Sequence, residues 1–261
     1  MNIYIMADME GISGVFSSEQ VSLSGERYNE ARKYMTDDIN VCVEACKAAG
    51  ADKVYVRDAH AGGENVIWDM LTPSAEAYIM GNTGQDRFPC LGACDGVILL
   101  GYHAMAGTPG AILEHSMSSR SVQNYWINGQ KAGETAIDAG IVGDRGKPVI
   151  MVSGDDKLCC EAIKLLPWAS AAEVKKGATW KGGVLLPRHR AHAVIREKTI
   201  EAISGLASAK PLIFDKPINF RAEYIERAML PAQYAKPYMK IIDGRTVEVE
   251  ASSVEEALFR L

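Results

Sequence analysis

At 261 residues, with 48% hydrophobic and 23% charged side chains, the chain has the balance of a soluble globular protein, long enough for one large α/β domain or for a core domain with a smaller companion. A net charge of -5 and the absence of any basic run argue against nucleic acid or an anionic membrane surface as partner, because both need a cationic face. The amino terminus has no positive start, Asp8 interrupts its apolar stretch, and no window approaches the ~18 apolar residues of a membrane span, so a cytoplasmic protein is expected.

Residues 2–7 form an apolar run too short for a helix and read as a buried strand, after which Asp8-Met9-Glu10-Gly11 turns polar and flexible. A helix is predicted over 25–49, where Tyr28, Ala31, Met35, Ile39, Cys42, Cys46 and Ala49 recur at steps of three or four before Gly50 supplies a left-handed cap. The six cysteines contain no C-x-x-C spacing, and Cys42 and Cys46 on this stripe read as small buried hydrophobes. A strand at 53–57 leads to the loop Asp58-Ala59-His60, followed by a short helix over 64–71 and a strand over 75–80. The most apolar strand, 96–102, runs into His103. Shorter strands are expected at 112–118 and 122–127, with Asn128-Gly129 as a turn. A helix at 132–144 opens with Gly133-Glu134, a strand covers 147–152, and a helix covers 155–166.

Strands alternating with helices predict an α/β fold whose mostly parallel sheet is covered by helices on both faces. Beyond Pro167 come strands near 170–176 and 182–186, a helix at 188–205, β segments at 217–223 and 238–251 joined through Asp243-Gly244, and a terminal helix. This pattern reads as a smaller α+β domain, dividing the chain into 1–170 and 171–261 across a boundary zone at 167–187.

Open α/β sheets bind ligands at the carboxyl ends of their strands. Asp8 and Glu10 follow the first strand, His60 the second and His103 the apolar strand at 96–102, so three strand ends deliver acids and imidazoles to one edge. Such a group repels itself unless a cation sits within it, and imidazole with carboxylate is the usual zinc mixture. With Glu134 at a helix start there are five candidates, enough for two metals sharing one carboxylate. Singly, each has a plainer reading: a helix cap for Asp8 or Glu10, a structural histidine for His60 or His103, a favourable helix-end charge for Glu134. His115 reads as a metal ligand, a proton carrier or a buried strand histidine, and His189 and His192 as surface residues. No G-x-G-x-x-G, P-loop, G-x-S-x-G or H-E-x-x-H motif is present.

Taken together, Asp8-Met9-Glu10-Gly11-Ile12-Ser13-Gly14, Asp58-Ala59-His60, Gly101-Tyr102-His103-Ala104, His115-Ser116-Met117 and Gly133-Glu134 resemble the M55 family of D-aminopeptidases, in order and with compatible spacing through about Asp156. The resemblance implies a metallo-aminopeptidase acting on short peptides with two zinc ions per subunit. It implies that Asp8 bridges the metals, that Glu10 and His60 complete one site, and that His103 and Glu134 complete the other. His115 corresponds to the family's catalytic histidine. It also implies a ring-shaped, decamer-like homo-oligomer that restricts access to small peptides. Arg57, Met105 and Gly107 depart from the family pattern, which leaves substrate preference open. The competing readings are a metal-dependent amidase or phosphoesterase, an L-specific aminopeptidase on the same scaffold, and a peptide-binding protein without turnover.

Overall fold

The computed structural model describes residues 1–230 and 236–261. In chain order its strands are β1 (Asn2–Ala7), β2 (Lys53–Asp58), β3 (Ala77–Ile79), β4 (Gly96–Leu100), β5 (Val122–Ile127), β6 (Gln130–Ala132), β7 (Val149–Asp155), β8 (Ser170–Thr179), β9 (Gly182–Leu185), β10 (Ile218–Tyr224), β11 (Met239–Ile241) and β12 (Thr246–Ala251). The α-helices are α1 (Ser18–Val21), α2 (Tyr28–Ala48), α3 (Glu134–Asp144), α4 (Asp156–Leu165), α5 (Arg188–Ser204) and α6 (Val254–Arg260). Among the described residues no helix is long and apolar enough to cross a membrane.

Seven strands form the main sheet in the order β3-β2-β1-β4-β7-β8-β9, every neighbouring pair parallel except β8 with β9. Its central strands are buried on both faces, and their side chains alternate between two cores as a pleated strand requires. Ile3 and Ile5 of β1 and Ile98 and Leu100 of β4 join α2 and α5 on one face. Tyr4, Met6, Val97 and Leu99 face the opposite core, with α3, α4 and α6. This accounts for the continuous apolar runs of β1 and β4.

The second sheet is antiparallel, ordered β11-β12-β10-β5-β6. Its inward residues Tyr125, Phe220, Val247 and Val249 belong to the same core as Tyr4 and Leu99, so the two sheets share one apolar interior. They also interleave along the chain. β8, β9 and α5, expected from sequence in the C-terminal unit, complete and cover the main sheet, whereas β5 and β6 from the N-terminal half build the second.

Two expected elements take other forms. The segment 64–71 contains only a 3₁₀ turn at Trp68–Met70. Its backbone donors are already engaged by side chains: Asn65 and Val66 N–H groups donate to Asp58 at 2.5 and 3.1 Å, and Ile67 N–H to Thr36 at 3.0 Å. Residues 112–118 are loop, not strand; Leu113 and Met117 adopt φ of 54° and 59°, which takes them out of extended geometry. The Asn128-Gly129 turn joins β5 to β6 with φ of 49° and 81°, the geometry of a tight hairpin.

Candidate active site

Three strand ends are tied together before any functional side chain is considered. Asp8 N–H donates to the Leu100 carbonyl at 2.8 Å, Ala59 N–H to that of Ala7 at 2.8 Å, and Gly11 N–H to that of Gly101 at 2.7 Å. Glycine is required at two of these contacts. A Cβ on Gly11 would lie 1.8 Å from the Tyr102 carbonyl oxygen, and Gly101 combines φ of +73° with a Cβ position 2.4 Å from the Asp8 carbonyl. The close approach of these backbones brings the end of β1 against the end of β4.

On this frame the structure brings Asp8, Glu10, His60, His103, Glu134 and His115 together. His60 Nδ1 lies 3.1 Å from Asp8 Oδ1 and 3.0 Å from Glu10 Oε2. His103 Nε2 lies 3.5 Å from Asp8 Oδ2 and 3.1 Å from Glu134 Oε1. The two oxygens of Asp8 thus face different histidines. His115 stacks on His103 with ring centroids 4.0 Å apart, and its Nε2 is 3.7 Å from Glu134 Oε1. Each imidazole is oriented by a backbone carbonyl on its other nitrogen: His60 Nε2 donates to Val21 at 2.8 Å, His103 Nδ1 to Ala104 at 3.1 Å and His115 Nδ1 to Leu113 at 2.9 Å. The nitrogen facing the acids becomes a ligand once a cation takes the place of its proton.

Protein partners alone leave this cluster unsatisfied. Asp8 Oδ2, Glu10 Oε2 and His103 Nε2 are buried without a hydrogen bond. Burial and the neighbouring Glu10 push the Asp8 carboxyl up to about 6. Burial would also raise Glu134, but His103 and His115 outweigh it and hold the carboxyl down at about 2. For His103, Glu134 and Asp8 overcome the opposite effect of burial and lift the imidazole to about 10. Asp8, Glu10 and His103, and separately His103, His115 and Glu134, present ligand atoms within 4.8 Å of one another. Buried oxygens and imidazole nitrogens converging without partners are the donor set of a divalent cation site, and the residues fit such an ion. Asp8, Glu10, His60, His115 and Glu134 line a cleft of about 700 Å³ whose walls also include Leu23, Arg87, Met117, Arg120 and Trp180, while His103 is buried beside them.

The family model of the M55 peptidases, described as D-aminopeptidase, matches residues 1–261. The chain belongs to the M55 family of D-aminopeptidases. By that membership it is a metallo-aminopeptidase. It is similar to the D-aminopeptidase of Bacillus subtilis strain 168, with 32% identity over 98% of this chain and 94% of that protein. Its fold is similar to the solved structure of the Zn-dependent D-aminopeptidase DppA from Bacillus subtilis, described as a self-compartmentalizing protease, with a TM-score of 0.94 and 29% identity over 100% of this chain and 95% of that one.

Several side chains around the M55 cluster carry no signal in the sequence. Asp138 lies one helical turn beyond Glu134 on α3, accepts from both Nε and Nη2 of Arg87, and accepts from the Tyr102 hydroxyl at 2.7 Å. It therefore links Glu134, the residue preceding His103, and the cleft wall. Glu161 of α4 accepts from Met105 N–H at 2.9 Å, and burial pushes its carboxyl up to about 7. Of the two histidines expected at the surface, His189 is exposed, whereas His192 is partly covered and sits 3.2 Å from the buried Asp38. None of Arg57, Met105 and Gly107 lines the cleft.

Proposed function

We propose that this chain is a zinc-dependent aminopeptidase that removes the N-terminal residue, a D-amino acid, from short peptides or amino-acid amides. The observation that carries the reading is the convergence of unsatisfied ligand atoms from Asp8, Glu10 and the buried His103 at the place where Asp8, Glu10, His60 and Glu134 line an open cleft. Two ions fit better than one. Asp8 directs one oxygen toward His60 and the other toward His103, so it would be shared between two ions, with Glu10 and His60 completing one site and His103 and Glu134 the other. Zinc bound there supplies Lewis acidity and a nucleophilic water near neutral pH.

The chain's own residues orient the substrate and move protons. With Nδ1–H committed to Leu113, His115 keeps Nε2 toward the cleft, where it can take a proton from the attacking water and then, as the imidazolium, stabilise negative charge on the former carbonyl oxygen or pass that proton to the leaving amine. Leu23, Met117 and Trp180 give the cleft apolar walls for side chains, and its size lies in the small-molecule range. A ring-shaped homo-oligomer in the cytoplasm, admitting only short peptides, is part of the same reading; the similarity to a self-compartmentalizing protease supports it.

A second reading has its own observation, since His115 meets His103 and Glu134 closely enough to be a ligand itself. His115→Ala separates the two: a catalytic role predicts kcat lower by roughly 10²–10⁴ with zinc content unchanged, and loss of zinc makes His115 a ligand. The reading as a whole is tested by paired D- and L-aminoacyl dipeptides and amides, with phosphate esters alongside, each with and without added zinc. Zinc-dependent release of D-residues is expected. Preference for L-residues or for phosphate esters would reassign the substrate, and peptide binding without turnover would remove the enzyme.

A further inference from the structure

Lys175, on β8, is 1% exposed. Its Nζ donates to the backbone carbonyls of Glu10 at 2.6 Å, Ile12 at 2.9 Å and Val15 at 2.6 Å. Three acceptors need three N–H donors, which only the charged ammonium has. Among the described residues no carboxylate lies within 4.0 Å of it; the carbonyls are its direct partners, and Asp155, Asp38, Glu10 and Asp8 favour the charge from farther away. A bare buried cation is costly, so a fold that keeps one gains something specific from its position.

What the ammonium touches is the turn that carries two of the candidate ligands. The turn is also attached through neutral groups: Gly11 N–H donates to Gly101 at 2.7 Å, Ser13 N–H and Oγ donate to Asp38 at 2.8 and 2.7 Å, and the Gly14 carbonyl accepts from Gln20 Nε2 at 3.1 Å. Lys175 holds the carbonyl of the Glu10–Gly11 peptide, whose N–H donates to Gly101, and it does so from β8, two strands away from β4 across β7. The register of β8 against β7 slips at this point, Gly154 pairing with Glu173 and Asp155 with Lys175. The extra residue, Val174, breaks the alternation, so Val174 and Lys175 are both buried, as at a bulge that redirects a side chain.

We propose that Lys175 is a positioning residue of the metal centre, whose ammonium winds the Glu10–Val15 turn around itself so that the carboxylates of Asp8 and Glu10 are aimed before metal arrives. This rests on the zinc reading above. Outer residues that fix metal ligands typically govern affinity by 10–100-fold.

The test compares the parent with Lys175→Met and Lys175→Arg, measuring zinc affinity by chelator competition and the visible spectrum of the cobalt(II)-loaded proteins. Lys175→Met is expected to bind zinc at least ~10-fold more weakly and to shift the cobalt bands. Lys175→Arg, keeping the charge in a planar fork, should fall between it and the parent. Parent-like zinc affinity and cobalt spectra in the variants, with only the melting temperature lowered, overturn the proposal and leave Lys175 a structural residue. Should the variants fail to fold, hydrogen exchange over residues 8–16 of the parent decides: equal protection with and without zinc supports a preset turn, and protection that appears only with zinc refutes it. If the parent itself binds no zinc, the functional reading fails and the proposal falls with it, whereas unchanged affinity in the variants of a zinc-binding parent refutes the proposal alone.

Discussion

Asp138→Asn removes one charge from the buried group beneath the cleft while leaving its shape nearly unchanged. Asp138 is fully buried and Arg87 is 18% exposed at the side chain, and Arg87 spends both Nε and Nη2 on this carboxylate. Taking away one partner of a buried ion pair costs about 3–5 kcal/mol, because the remaining charge is left uncompensated. The residual exposure of Arg87, and the one acceptor the amide retains, place this case at the low end, about 3 kcal/mol. For a chain of this size each kcal/mol moves Tm by about 2–4 °C, so a fall of about 6–12 °C is expected. The double variant Arg87→Met/Asp138→Leu strands no charge and forfeits chiefly the Tyr102 hydrogen bond, about 1 kcal/mol, so it should melt well above the single variant. Thermal unfolding followed by circular dichroism, at one protein concentration because assembly shifts Tm, measures both. A double variant as unstable as Asp138→Asn, or a single variant within 1 °C of the parent, would show that the charge pairing is not what matters there.

Glu161 supplies a pH test. Its folded carboxyl, raised to about 7 by burial, holds a proton that the unfolded chain releases at its ordinary value near 4.3, so its contribution is lost as pH rises through that interval. Glu161→Gln is expected to match the parent near pH 4.5 and to exceed it in Tm at pH 8; a constant difference across that range would contradict the assigned environment. Gly11→Ala should disrupt the joint between β1 and β4, since its Cβ would lie 1.8 Å from the Tyr102 carbonyl oxygen, whereas Gly92→Ala meets nothing within 4 Å. Zinc per chain and folded yield should fall in the first variant alone; normal zinc content in Gly11→Ala would mean the joint tolerates displacement.

Much of this was legible in the sequence because the main sheet follows simple rules. β1 and β4 are apolar without interruption since both faces are covered, and the candidate ligands Asp8, Glu10, His60 and His103 stand where those strands and β2 end. The stripe of α2 and the glycine after it were equally direct, with Gly50 at φ of 90°. Illegible parts depend on contacts that local pattern does not encode. The run around Ile112-Leu113 looks like a strand, yet its donors go to distant partners, Ile112 N–H to Asp155 and Leu113 N–H to the Trp180 carbonyl. A non-glycine residue at positive φ, as at Leu113 and Met117, has no marker in the sequence. Lys175 is the clearest case: a lysine beside a second lysine near a strand end reads as solvated, and only the register slip against β7 turns it inward. The interleaving of the two sheets is hidden for the same reason, since strand partnership between β5 and β10 spans almost a hundred residues.

Zinc content of the purified protein, by elemental mass spectrometry after equilibration with zinc and removal of the excess, addresses the paired-ion site itself. About two ions per chain are expected in the parent, with both sites weakened by Asp8→Ala because that carboxylate faces both histidines. A parent that retains no zinc, or an Asp8→Ala variant that keeps the full complement, would be incompatible with a shared carboxylate holding two cations in this cleft.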